Sequence, residues 1–137
     1  MCAGINNGKD VHTLISEIFL PDKLSFSKGF GKVSWAIHGL YNNYVGWFDG
    51  KLNNIFDTPV GSVYKDIINV SGIAPMLELI KDKLKDNNPE KALHLTEIIL
   101  TVFPDNEEVL LLRKEACKLL LKDSSNWVES NFIKEKL

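Results

Sequence analysis

A catalyst built on this chain would have to draw on three histidines, two cysteines, one pair of adjacent glutamates and one glycine-containing turn. His12, His38 and His94 fall on separate elements, with no HxH, HExxH or His-carboxylate spacing that would put ligands on one helical face. No metal ligand is expected. His38 is the best placed, because with Ser34 and Asn42 it forms the polar line of an otherwise apolar helix, and there it reads as a hydrogen-bonded or surface histidine. His94 reads as facing solvent or a partner. Cys117 sits on a leucine-rich helix as a small buried hydrophobe and Cys2 in a frayed tail, and neither has a neighbouring base to make it a nucleophile. Glu107 and Glu108 are adjacent on a helix and point in different directions, which suits a helix start better than an acid/base couple. Gly29-Phe30-Gly31 lacks the Gly-Lys-Ser/Thr continuation of a phosphate loop. These patterns yield no catalytic and no cofactor-binding residue.

The elements that would position such groups follow from composition. The chain has 137 residues, 45% of them hydrophobic and 25% charged, enough for one domain with a true core and no need of disulfides or a structural metal. A net charge of -2, with Arg113 the sole arginine, gives no basic field for nucleic acid. No apolar run reaches the ~18 residues of a membrane span, and residues 1–10 lack the pattern of a secretory signal. With two dissimilar cysteines, the expectation is a cytoplasmic protein.

Charge is unevenly spread. Residues 1–61 hold ten charged side chains and residues 62–137 hold twenty-four, whereas nine of the thirteen aromatics and eight of the nine glycines lie in the first stretch. The front half is therefore expected to be covered by something.

In the back half, Ile73, Met76, Leu77, Ile80 and Leu84 recur at helical steps after Ser71-Gly72, with Pro75 in the first turn. Asn88-Pro89 opens the next helix, whose apolar stripe is Ala92, Leu95, Thr96, Ile99, Val102 and Phe103. Pro104 stops it, and Asp105 with Glu108 three places on reads as the capping box of a further helix carrying Val109, Leu112, Ala116, Leu119 and Leu120. A short helix with Trp127 and Phe132 ends the chain. The brief connection at Pro104-Asp105-Asn106 predicts antiparallel packing of a tetratricopeptide-like helix pair, although no second copy at a 34-residue period makes a solenoid. The fold class is all-α, a helical bundle.

The front half predicts a weak helix over 9–19 and a strong one over 32–48. On the latter, Val33, Ile37, Leu40, Tyr41, Tyr44 and Phe48 share a face while Trp35, Val45 and Trp47 point elsewhere, so most of its circumference is apolar. Such a helix lies in the middle of a core or between its domain and a partner. Gly39 and Gly46 are expected to allow another backbone to come close. Residues 51–61 read as an extended loop before a short helix over 63–70.

Residues 41–50 read YNNYVGWFDG. This stretch resembles the signature of the alkyl sulfatase dimerisation domain, the helical middle part of metallo-β-lactamase-fold alkyl sulfatases. There YxxYxGWFDG precedes a proline-containing loop, a GG-like helix start and a PDN turn. Tyr41, Tyr44, Gly46, Trp47, Phe48, Asp49 and Gly50 take the motif positions, Pro59 the loop, Ser71-Gly72 the glycine pair and Pro104-Asp105-Asn106 the turn. Trp127 matches a tryptophan near that domain's end, so the resemblance spans residues 4–127. The chain departs from the family where a GYYGxxSHN-like segment ends in His and Asn, here Trp35 and Ala36, and where WRN is replaced by Trp127-Val128-Glu129.

The resemblance implies that residues 1–137 are one non-catalytic helical dimerisation-type domain, with 1–61 as its interface half and 62–137 as its amphipathic half. Trp35, Tyr41, Tyr44, Trp47, Phe48 and Asp49 are the expected interface residues, the aromatics as anchors. In such enzymes an N-terminal domain with an HxHxDH motif binds two zinc ions and hydrolyses the sulfate ester, and a sterol-carrier-like C-terminal domain helps take up the alkyl chain. The resemblance covers the middle part alone, so it implies no cofactor in this chain, a homodimer, and a metallo-β-lactamase-fold catalytic domain as partner in cis or in trans. The alternative is a free-standing helical adaptor that holds a peptide in its helix-pair groove, marked by polar, Asn-rich or basic residues on a concave face, of which Asn42, Asn43, Asn53 and Asn54 are a faint sign.

Overall fold

The computed structural model describes residues 1–24 and 29–137, apart from the side chain of residue 23. Among them every regular element is helical: α1 (Cys2–Asn6), α2 (Val11–Glu17), α3 (Val33–Val45), α4 (Val60–Ser71), α5 (Ile73–Lys85), α6 (Pro89–Val102), α7 (Glu107–Asp123) and α8 (Trp127–Lys134), with single 3-10 turns at Asp22–Leu24 and Leu52–Ile55. The all-α expectation holds. The chain divides into two compact units, Met1–Asp57 with Ser125–Val128, and Thr58–Ser124 with Glu129–Leu137.

In the second unit, α6 packs against α4, α5 and α7. Its core is aliphatic: Ile68 of α4, Met76, Ile80 and Leu84 of α5, Ala92, Ile99 and Leu100 of α6, and Val109, Leu112 and Ala116 of α7. The three- and four-residue spacing singles out most of these on α5, α6 and α7, but not Ile68 or Leu100, and Phe103, expected in the α6 stripe, is exposed; burying a full-sized aliphatic side chain is worth about 1.5–3 kcal/mol. Thr96 lies in the same layer, and its hydroxyl escapes desolvation by donating to the Leu93 carbonyl at 2.7 Å.

Helix ends follow local chemistry. Asn88 Oδ1 accepts from the Lys91 amide, with Pro89 at the first helical position. At α7 the cap is Asn106, whose Oδ1 accepts from the Val109 amide at 3.1 Å, and not Asp105 as the capping-box pattern suggests. Both residues are good caps, but the turn after Pro104 delays the helix by one residue, so Glu107 and Glu108 form its acidic first turn. The helix expected over 63–70 starts earlier, at Val60, because Pro59 already has the extended conformation of a cap.

In the first unit, α2 packs on α3, with Leu14 and Ile37 buried. Asp10 caps α2, its carboxylate accepting from the Thr13 amide at 2.9 Å, which shortens the expected 9–19 helix at its front. Cys2 lies in α1, not in a frayed tail. Residues 125–128 complete this unit: Asn126 is 1% exposed, and the Trp127 amide donates to the Gly29 carbonyl at 2.6 Å while its ring lies 5.9 Å from that of Phe30.

Candidate association surface

Helix α3 has no charged side chain over its thirteen residues, and Ile37 alone among them is fully buried. It ends at Val45 and not at Phe48. Gly46, at φ 73°, donates its amide to the Asn42 carbonyl at 2.9 Å and turns the chain out of the helix. That left-handed conformation, and not a close backbone neighbour, is what Gly46 supplies. Trp47 and Phe48 consequently stand beyond the helix, their rings 5.5 Å apart and tilted by 47°.

Asp49 holds the loop that follows. One carboxylate oxygen accepts from the Lys51 amide at 3.1 Å and from the Asn54 side-chain amide at 2.9 Å, while the other lies 3.3 Å from Lys51 Nζ. The Lys51 amide, with help from Asn54 and the Lys51 ammonium, holds the Asp49 carboxyl below the usual carboxylate range. Asn53 and Asn54 are bonded to each other, so the loop closes on itself.

The six residues that the sequence nominates all lie in this unit. Trp47 is 81% exposed, Tyr44 60%, Trp35 41% and Phe48 37%, while Tyr41 and Asp49 are half-buried. Free-standing exposure of four large aromatics along one short stretch is unusual for a surface that meets only water. The Cys2 thiol beside the Tyr44 hydroxyl pushes the phenol above its ordinary value.

One pairing was not legible in the sequence. His12 of α2 and His38 of α3 meet edge to face, with ring centroids 5.8 Å apart, although 26 positions separate them. Only the packing of α2 on α3 brings them together, and no local spacing signals it. His94 is exposed on α6 and Cys117 is buried on α7. Burial pushes the Cys117 thiol up, away from the thiolate a nucleophile needs. Glu108 is ion-paired with Lys81 at 3.1 Å, a surface role and not an acid/base one. Among the described residues no three His, Cys, Asp or Glu side chains come together in a way that could hold a metal ion.

An open groove of about 460 Å³ lies along α7 in the other unit, lined by Glu107, Leu110, Leu111, Arg113, Lys114 and Lys136. Its lining carries the basic Arg113, Lys114 and Lys136, whereas Asn42, Asn43, Asn53 and Asn54 lie in the first unit. Among the described residues no helix is long and apolar enough to cross a membrane.

A family model described as alkyl sulfatase dimerisation matches residues 11–136. Among solved structures, a double mutant of the sec-alkyl sulfatase PisA1 superposes with a TM-score of 0.87 at 20% identity, over 96% of this chain and 22% of that one. The stereoselective inverting sec-alkylsulfatase Pisa1 from Pseudomonas sp. superposes with a TM-score of 0.86 at 21% identity, again over 96% of this chain and 22% of that one. The chain thus spans about a fifth of the length of the structures it matches, and the likeness to them is one of fold. No curated protein matches the chain.

Proposed function

Because the chain belongs to the alkyl sulfatase dimerisation family, we propose that it is a non-catalytic homodimerisation domain whose aromatic front is covered by a second copy. The observation that carries this reading is the exposure of Trp35, Tyr44, Trp47 and Phe48 on and just after a helix without a charged side chain. Exposed aromatic side chains on a helix with no charge of its own suit the buried centre of a stable interface, and Lys32 over the Trp35 ring suits its rim. The second unit, with its own aliphatic core, serves as scaffold.

In this reading the parent protein is a zinc-dependent sulfuric-ester hydrolase. Its metal would be held by a metallo-β-lactamase-fold domain, in cis or in trans, and the present chain would bring two such domains together without touching the ester. Reading the neighbouring coding sequence for HxHxDH tests that part.

Sedimentation velocity over a concentration series tests the dimer itself. A reversible monomer–dimer equilibrium is expected, and Trp47→Ala should weaken it by about 2–4 kcal/mol, or roughly 30- to 1,000-fold in Kd, while changing monomer stability by less than about 0.5 kcal/mol, since the ring is largely exposed in one copy. A strictly monomeric particle at high concentration overturns the proposal. Capture of a peptide by such a monomer would favour the adaptor instead.

A further inference from the structure

The solvent side of α3 is formed by Trp35, Ala36, Gly39, Leu40, Asn43 and Tyr44, which recur at three- and four-residue steps and are all exposed. Gly39 lies near the middle of this face. A glycine inside a helix is a net cost relative to alanine, and it normally persists where φ is positive or where a neighbour presses on the backbone. Neither holds among the described residues. Gly39 is not among the glycines with positive φ, and a Cβ built on it meets nothing within 4 Å.

The missing side chain therefore serves something outside the fold. We propose that α3 crosses α3 of a second copy at Gly39, the two backbones approaching more closely there than the ~8–10 Å usual for packed helices, with Leu40 beside the crossing and Trp35 and Tyr44 as its two flanks. A second copy is favoured over a different partner by the charge pattern. In a two-fold contact every residue near the axis meets its own duplicate, so a charged residue there would oppose a like charge; α3 itself carries none at neutral pH, and Lys32, its N-cap seven positions before Gly39, lies over the Trp35 flank at 5.8 Å from the ring centroid. Asn43 can donate and accept at once, so it too can face itself.

The inference rests on the homodimer reading and adds the place and geometry of contact. Its test uses Gly39→Ala and Gly39→Leu, with sedimentation equilibrium for association and thermal melting at a concentration where the protein is monomeric. Gly39→Ala is expected to raise Kd about tenfold and Gly39→Leu about a hundredfold, since overfilling a packed contact is costly. Monomer melting should stay unchanged or rise, because the added atoms meet open space and alanine favours the helix. Should Gly39→Leu fail to fold, Gly39→Ala decides alone. A wild-type dimer whose Kd stays within twofold for the variants that fold overturns the crossing and leaves the homodimer reading standing. A wild-type chain that never dimerises removes the homodimer reading and the crossing with it.

Discussion

Cys2 and Cys117 have the same side chain and opposite surroundings. Cys2 is exposed beside Tyr44, whereas Cys117 is 4% exposed among the aliphatic residues of α7, and burial raises its thiol further from the reactive thiolate. Iodoacetamide at neutral pH should therefore label Cys2 in the folded protein and reach Cys117 only after denaturation, which peptide mass mapping reads directly; equal labelling of both would contradict the burial of α7. Single residues also set how much of the aromatic front could be read in advance. The spacing of Trp35, Tyr44, Trp47 and Phe48 was visible, but which side of each ring meets water was not, because an apolar helix face looks the same whether it turns inward or outward. The two histidines are the stronger case. His12 and His38 are brought together by helix packing alone, and nothing in their local sequence encodes it.

Helix termini were legible wherever a proline or a capping side chain stood alone, as at Asn88-Pro89, and blurred where two caps competed. Asp105 and Asn106 each satisfy the chemistry of a helix start, and the turn after Pro104 chooses the second. Asn106→Ala should cost about 1 kcal/mol, seen as a fall in the urea midpoint with an unchanged slope, and Asp105→Ala markedly less. α1 lacks both a side-chain cap and an apolar stripe, so no pattern announces it. In the first unit two elements depend on ionised carboxylates. Asp10 caps α2, its carboxyl held low chiefly by the Thr13 amide, and Asp49 holds the loop after Trp47, held low chiefly by the Lys51 amide. Because both folded values lie below the unfolded one, their stabilisation is fully present above the ordinary carboxylate range and is lost as pH falls through the lowered values. Acid titration followed by tryptophan fluorescence should loosen the aromatic segment in that range, and Asp49→Ala should produce part of the same change at neutral pH. A flat fluorescence profile down to acid denaturation of the second unit would argue against it.

The two compact units differ in character, one with an aliphatic core and one with exposed aromatics. Stability belongs to the former. Ile99 is fully buried at the centre of α6, and Ile99→Ala should cost about 2–5 kcal/mol, measurable by chemical denaturation and a large share of what a domain of this size has to lose. The aliphatic stripes of α5, α6 and α7 made that core predictable, since burying them required only neighbours in sequence. What sequence order hid is that the first unit is stitched from two distant pieces, Met1–Asp57 and the tetrapeptide Ser125–Val128. Anyone wishing to transplant the aromatic front onto a foreign scaffold cannot obtain it with one pair of scissors: a clone ending at residue 57 leaves behind Asn126 and the Trp127 amide that grips Gly29. A working graft needs that distant tetrapeptide supplied as well, through a circular permutation or a short designed bridge.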